Sequence, residues 1–170
     1  MQLTHYNTTF KSHRFPITLV CDNITSTPNI GSLFRICDAF GASKLLLCGE
    51  RINMGRKISK TSRATEKAID FEIKPSALEV VAHLKNEQAQ IISLEITQSS
   101  IPIHHFKFSI EKPIVLVVGN ENFGVSETIL KLSDHTVHIN MFGQNSSMNV
   151  VQATNIALYE ITKQLIAFTT

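Results

Sequence analysis

Cysteine is scarce in this chain: its 170 residues include only Cys21, Cys37 and Cys48, and no pair has C-x-x-C spacing. Three are too few for a disulfide framework, so they read as buried apolar side chains in a reducing compartment. Long apolar runs are also missing. The opening MQLTHYNTTFKSHRF has no apolar stretch of the kind a signal peptide needs, and the runs Leu45 to Cys48 and Ile114 to Val118 fall far short of a membrane span. The location expected is therefore cytoplasmic. No strong charge of either sign is present: sixteen Lys and Arg against fourteen Asp and Glu leave a formal net charge of +2. That balance alone does not demonstrate a nucleic-acid partner.

Several familiar site signatures are absent as well. No G-x-G-x-x-G follows an apolar run, which excludes a dinucleotide fingerprint. The segment Gly119-Asn120-Glu121-Asn122-Phe123-Gly124-Val125-Ser126 has the glycine spacing of a phosphate loop, but Val125 stands where that loop needs lysine. Without that cation the phosphate clamp fails, and a kinase or ATPase is disfavoured. His104 and His105 are adjacent and His135 and His138 are three apart, with no third ligand nearby, so no metal is expected.

What remains is the profile of a folded globular protein, with 43% hydrophobic and 18% charged residues. The length fits a single domain over residues 1–170. Short β-branched runs alternate with segments of helical period. Strands are expected at Phe15–Cys21, Lys44–Cys48, Ile69–Ile73, Gln90–Leu94, Ile114–Val118 and Thr136–Ile139. Helices are expected from about Ile30 to Gly41, from Arg56 to Ala68, from Pro75 to Lys85 and from Val125 to Leu132, with a last helix starting near Ser146 or Ser147. This order predicts an α/β fold: a mainly parallel sheet with helices on both faces. Ligands in such folds sit beyond the carboxyl ends of the strands.

Three polar clusters follow strands. Asn29, Ser32 and Arg35 flank the apolar stripe of the first helix; Gly119-Asn120-Glu121-Asn122 follows the most apolar strand; Asn140 to Asn149 joins the last strand to the last helix. Each alone could be an ordinary cap or connection.

Together the motifs Asn29-Ile30-Gly31-Ser32-Leu33-Phe34-Arg35, Val117-Val118-Gly119-Asn120-Glu121 and Ser147-Met148-Asn149-Val150 resemble the SpoU, or TrmH-like, branch of the SPOUT RNA methyltransferases. The resemblance runs from about Phe15 to Ile161. It implies a C-terminal deep trefoil knot, a homodimer, and transfer of a methyl group from S-adenosylmethionine (SAM) to a ribose 2′-hydroxyl of RNA, with tRNA ranked ahead of rRNA. It implies a cofactor pocket at Leu94, Gly119, Ile139 and Met148, with Met141 and Gly143 added as neighbours, and a catalytic set of Asn29, Arg35, Glu121, Ser147 and Asn149. The competing reading is a non-catalytic RNA-binding or assembly factor with the same fold.

Arg35 falls on a position described as a general base. A guanidinium does not deprotonate in proteins, which favours a clamp on an RNA phosphate that also stabilises developing alkoxide charge. Asn29 and Asn149 are then expected to orient the ribose, and Glu121 and Ser147 to hold Arg35 or the loop. For RNA contact, Arg56, Lys60, Arg63 and Lys67 fall at i, i+4, i+7 and i+11, one face of a continuous helix. Residues 50–67 carry six of the sixteen basic residues. With few residues outside the strands and helices at either end, no appended RNA-binding domain is expected, and a dimer is expected to supply the surface.

Overall fold

The computed structural model describes residues 10–50, 52 and 54–168, with backbone alone for Arg56 and Lys57. Seven strands form one sheet: β1 (Phe15–Asp22), β2 (Ala42–Cys48), β3 (Asp70–Lys74), β4 (Gln90–Leu94), β5 (Ile101–Pro102), β6 (Ile114–Val118) and β7 (His135–His138). Their spatial order is β3-β2-β1-β6-β4-β7-β5, and every pairing is parallel. The helices are α1 (Thr27–Ala39), α2 (Arg56–Ser62), α3 (Ala77–Asn86), α4 (Glu127–Leu132) and α5 (Val150–Ala167).

Side-chain alternation along the strands divides the core in two. Leu19, Cys21, Leu45, Leu47, Ile92 and Leu116 pack with Leu33 and Phe34 of α1, Ile58 of α2, and Leu158 and Ile161 of α5. The opposite faces, with Val20, Leu46, Ile91, Val115 and Val117, pack with Ala77 and Val81 of α3 and Ile129 of α4. A strand buried on both faces needs apolar residues at every position, and all five residues of β6 are buried. The three cysteines lie inside these cores. Burial pushes the Cys37 and Cys48 thiols up to about 12, which keeps them protonated and unreactive.

Beyond shifts of one or two residues at several strand and helix ends, the elements differ from expectation in four places. Helix α1 begins at Thr27, so Pro28 sits inside its first turn, where the missing N–H costs no hydrogen bond. Helix α5 begins at Val150 with Asn149 as its cap, three residues beyond Ser146 and two beyond Ser147. Strand β5 has only two residues, too short to leave a periodic signal. The fourth difference matters for function. The basic helix expected over Arg56–Ala68 is broken: α2 stops at Ser62, Arg63 and Ala64 are left-handed at φ 53° and 67°, and a 3₁₀ turn covers Thr65–Lys67.

Hydroxyl side chains bond locally at that break. The Ser62 hydroxyl donates to the Glu66 carboxylate and lies 3.1 Å from the carbonyl of Ser59, and Thr65 Oγ1 donates to the carbonyl of Ser62 at 2.7 Å. Such local bonds offer the backbone an alternative to the helical ladder. Lys60 and Arg63 therefore do not share one continuous helical face with Lys67.

Candidate functional site

The strand register brings several chain segments to one edge. Cys21 pairs with Val118, Val118 with Leu94, and Leu94 with Val137. The residues that follow β1, β4, β6 and β7 are therefore neighbours at the carboxyl edge of the sheet. Those after β4, β6 and β7 border a cavity of about 470 Å³ lined by Leu94, Glu95 and Ile96, by Val118 to Asn122 with Gly124, by Ile139 and Met141, and by Ser146 to Val150 with Ala153.

The loop after β6 is held on three sides. Asn120 Nδ2 donates to the carbonyl of Asn23 at 2.6 Å, the Val125 N–H to Glu95 Oε2 at 2.9 Å, and the Ser126 N–H to Asp22 Oδ2 at 3.0 Å. An antiparallel bridge between Asn120 and Gly124 closes it internally. Glycine is required at both ends. A Cβ on Gly119 would lie 2.0 Å from the backbone carbon of Gly124, and one on Gly124, at φ +68°, would lie 2.2 Å from Glu95 Oε2.

That rigid loop presents Glu121 to the start of α1. Glu121 Oε1 accepts from Asn29 Nδ2 at 2.9 Å and from the Ser26 N–H at 3.2 Å. The other end of the Asn29 amide accepts from Asn149 Nδ2 at 3.4 Å, while Asn149 Oδ1 caps α5 by accepting from the Val151 N–H at 2.8 Å. A polar chain thus runs Asn149–Asn29–Glu121, built from three of the anticipated residues and three separate elements. Arg35, two turns along α1 from Asn29, is exposed and has no hydrogen-bond or ion-pair partner among the described residues.

Of the two expected supporting residues, neither bonds to Arg35 among the described residues. Glu121 holds Asn29 and the turn before α1 rather than Arg35. Ser147 bonds to Asn145 Oδ1 through its N–H at 3.3 Å and its hydroxyl at 3.4 Å, staying within its own loop. Leu94, Gly119, Ile139, Met141 and Met148 all border the cavity, whereas Gly143 does not. Lys60 is exposed in the last turn of α2 and Arg63 is its left-handed cap; the Arg56 side chain lies outside the described residues.

Sequence reasoning missed Asp22 and Glu95. Asp22, only 4% exposed, accepts from Asn23 Nδ2 at 2.9 Å besides anchoring Ser126. The available signal was position: each carboxylate ends or directly follows an apolar strand, where an acid has no core partner.

The cavity has a clear electrostatic character. Glu95 and Glu121 border it, and no Lys, Arg or His does so among the described residues. A polyphosphate would meet carboxylates with no compensating cation, whereas a ligand carrying positive charge is complemented. Its size falls within the ~300–1,000 Å³ of ordinary small-molecule pockets. Among the described residues no group of three or more His, Cys, Asp or Glu is arranged to hold a metal ion, and no helix is long and apolar enough to cross a membrane.

Comparison with known proteins agrees with this architecture. The chain is 29% identical over 148 residues to the tRNA (guanosine(18)-2'-O)-methyltransferase of Aquifex aeolicus, covering 87% of this chain and 69% of that protein. It is 33% identical over 149 residues to the 23S rRNA (uridine(2479)-2'-O)-methyltransferase of Streptomyces viridochromogenes, covering 86% of this chain and 52% of that protein. It therefore spans about half to two-thirds of the length of these relatives.

Among solved structures, the A. aeolicus TrmH/SpoU tRNA modifying enzyme superposes with a TM-score of 0.82 at 27% identity, covering 93% of this chain and 79% of that one. The SpoU methyltransferase AviRb from S. viridochromogenes, in complex with the cofactor AdoMet, gives 0.80 at 27% identity, covering 94% and 63%. Residues 16–159 match the SpoU rRNA Methylase family, and the chain belongs to that family.

Proposed function

We propose that this protein is a SAM-dependent RNA methyltransferase that modifies a ribose 2′-hydroxyl, with tRNA ahead of rRNA as substrate. The observation that carries the reading is the Asn149–Asn29–Glu121 chain beside a cavity that carries carboxylates and, among the described residues, no cationic side chain. SAM bears positive charge on its sulfonium and its amino group, and both suit that wall. Leu94, Gly119, Ile139, Met141 and Met148 would hold it, the apolar side chains around its rings and the glycine through close backbone approach.

When bound, SAM supplies an activated methyl group for a hydroxyl oxygen to accept. The chain's own residues supply position and charge. Asn29 is fixed at both ends of its amide and so presents the first turn of α1 in one orientation. Arg35, without an internal partner among the described residues, is available to clamp an RNA phosphate and to stabilise negative charge that grows on the ribose oxygen. The hydroxyl proton leaves by way of that phosphate to solvent. Lys60 and Arg63, with Arg56, add cationic contacts to the RNA backbone.

A knotted C-terminal segment, a single catalytic domain, pairing of two copies and a cytoplasmic location belong to the same reading. Pairing is supported by α5 and its end, where Ile156, Tyr159, Ile166 and Phe168 are exposed by 37–65%. The decisive experiment is calorimetric titration with SAM, using ATP as the matched control, followed by nucleoside mass spectrometry of unmodified tRNA and rRNA incubated with protein and SAM. Saturable SAM binding without ATP binding, and a new 2′-O-methylnucleoside, are expected. Absence of SAM binding with RNA present would overturn the proposal, and binding without transfer would point to the non-catalytic factor.

A further inference from the structure

Two phenylalanines on the loops bordering the cavity are almost wholly in solvent: Phe123 is 88% exposed and Phe142 is 93% exposed. Neither ring contacts another aromatic ring among the described residues. At Phe123 a loose chain does not explain the exposure. Its N–H donates to Asn120 Oδ1 at 3.2 Å, and the Asn120–Gly124 bridge closes the loop around it. Phe142 directly follows Met141, which borders the cavity. Leaving two such rings in water forgoes the burial that stabilises the rest of the fold.

We infer that Phe123 and Phe142 are stacking platforms for unpaired RNA bases next to the nucleotide whose ribose enters the site. This rests on the reading of the protein as an RNA-modifying enzyme. The neighbouring side chains favour a nucleic acid over a protein partner: Asn122, Gln144, Asn145 and Ser146 are exposed, uncharged and polar. Nucleobase edges present donors and acceptors to those amides, and the family match of residues 16–159 points to RNA. Every base has a π-face, so the two rings contribute affinity with little sequence preference, while the cations contact phosphates.

The test compares a fluorescein-labelled twelve-nucleotide adenosine RNA with an abasic ribose–phosphate strand of equal length, both binding the full chain. Wild-type protein is expected to prefer the strand with bases. The double variant Phe123→Ala/Phe142→Ala should lose roughly 30-fold or more in affinity for that strand, fall to the abasic level and keep the same salt slope. Phe→Trp at both positions should retain the preference, and Phe→Leu should not.

An undiminished preference in the alanine variant overturns the inference, as does an equal loss for both strands. A dimer-to-monomer shift in sedimentation with RNA binding unchanged also overturns it, by assigning the rings to a second copy. Wild-type protein that binds neither strand nor unmodified tRNA sinks the underlying enzyme reading as well. Wild-type methyl transfer alongside a variant that still prefers bases sinks the inference alone.

Discussion

Glu121 and Asn29 are 92 positions apart in sequence and joined by a 2.9 Å hydrogen bond, and the same carboxylate oxygen also takes the Ser26 N–H. Replacing Glu121 with Ala leaves the first turn of α1 without its anchor. Both groups are near solvent, so the stability cost should be about 1 kcal/mol or less. The effect on methyl transfer should be much larger, about 10²-fold in kcat, because small misplacements of positioning groups are costly. Steady-state kinetics beside urea unfolding checks the split; equal, small losses in both would remove the positioning role.

Arg35→Lys separates a bidentate clamp from a simple cation. Lysine keeps the charge but loses the planar fork. A fall of about 10²-fold or more in kcat/KM is expected, in line with the loss of one oriented donor at developing charge. Near-normal transfer by the lysine variant would rule out bidentate clamping.

Neutralising Arg56, Lys60 and Arg63 together should weaken RNA binding and flatten its salt dependence. Each lost phosphate contact lowers the slope of log affinity against log salt by about 0.9 for a duplex. Because α2 ends at Ser62, Lys60 and Arg63 should behave as separate contacts, additive within about 0.5 kcal/mol. An unchanged slope in the triple variant would remove this segment from the RNA surface.

Asp134 links stability to pH away from the site. Burial works to raise its carboxyl, but the Lys85 ammonium at 2.9 Å and the Ile91 N–H at 2.8 Å outweigh that and hold it below its ordinary 3.8. A depressed folded value stabilises the native state above the unfolded value, and the contribution is lost as pH falls through the folded one. Asp134→Asn should therefore cost about 1 kcal/mol at pH 7, a figure already reduced for solvent screening. Urea unfolding at neutral pH and near pH 3 should show the gap between variant and wild type closing on acidification. A constant gap would mean that the lost contacts do not depend on charge.

Much of the scaffold was legible because both faces of the sheet are covered. Five consecutive apolar residues at Ile114–Val118 leave little alternative to a buried parallel strand, and the strand occupies those residues. Caps were less legible. Ser146, Ser147 and Asn149 are all capping types, and only three-dimensional placement lets Asn149 reach the Val151 N–H. Periodicity also misled at Arg56–Ala68, since the spacing of cations carries no information about hydroxyls that bond back to their own turn. Asn29, Glu121 and Asn149 were visible as polar residues after strands. Their joining into one chain was not, because it depends on where β1, β6 and α5 meet.

Strand β1 lies between two neighbours of very different age. Leu19 pairs with Leu45 on one side and with Leu116 on the other. During synthesis at ~5–20 residues per second, the partner on the second side emerges roughly 4–14 s after the first. Through that interval an apolar strand shows a row of unmatched backbone donors and acceptors, the template on which foreign strands pair and nascent chains aggregate. The interval also delays function, because Asn149 follows later still and the polar chain through Asn29 closes only when it arrives. A strand enclosed on both sides in the finished sheet is thus left with an open edge while the polypeptide is being made.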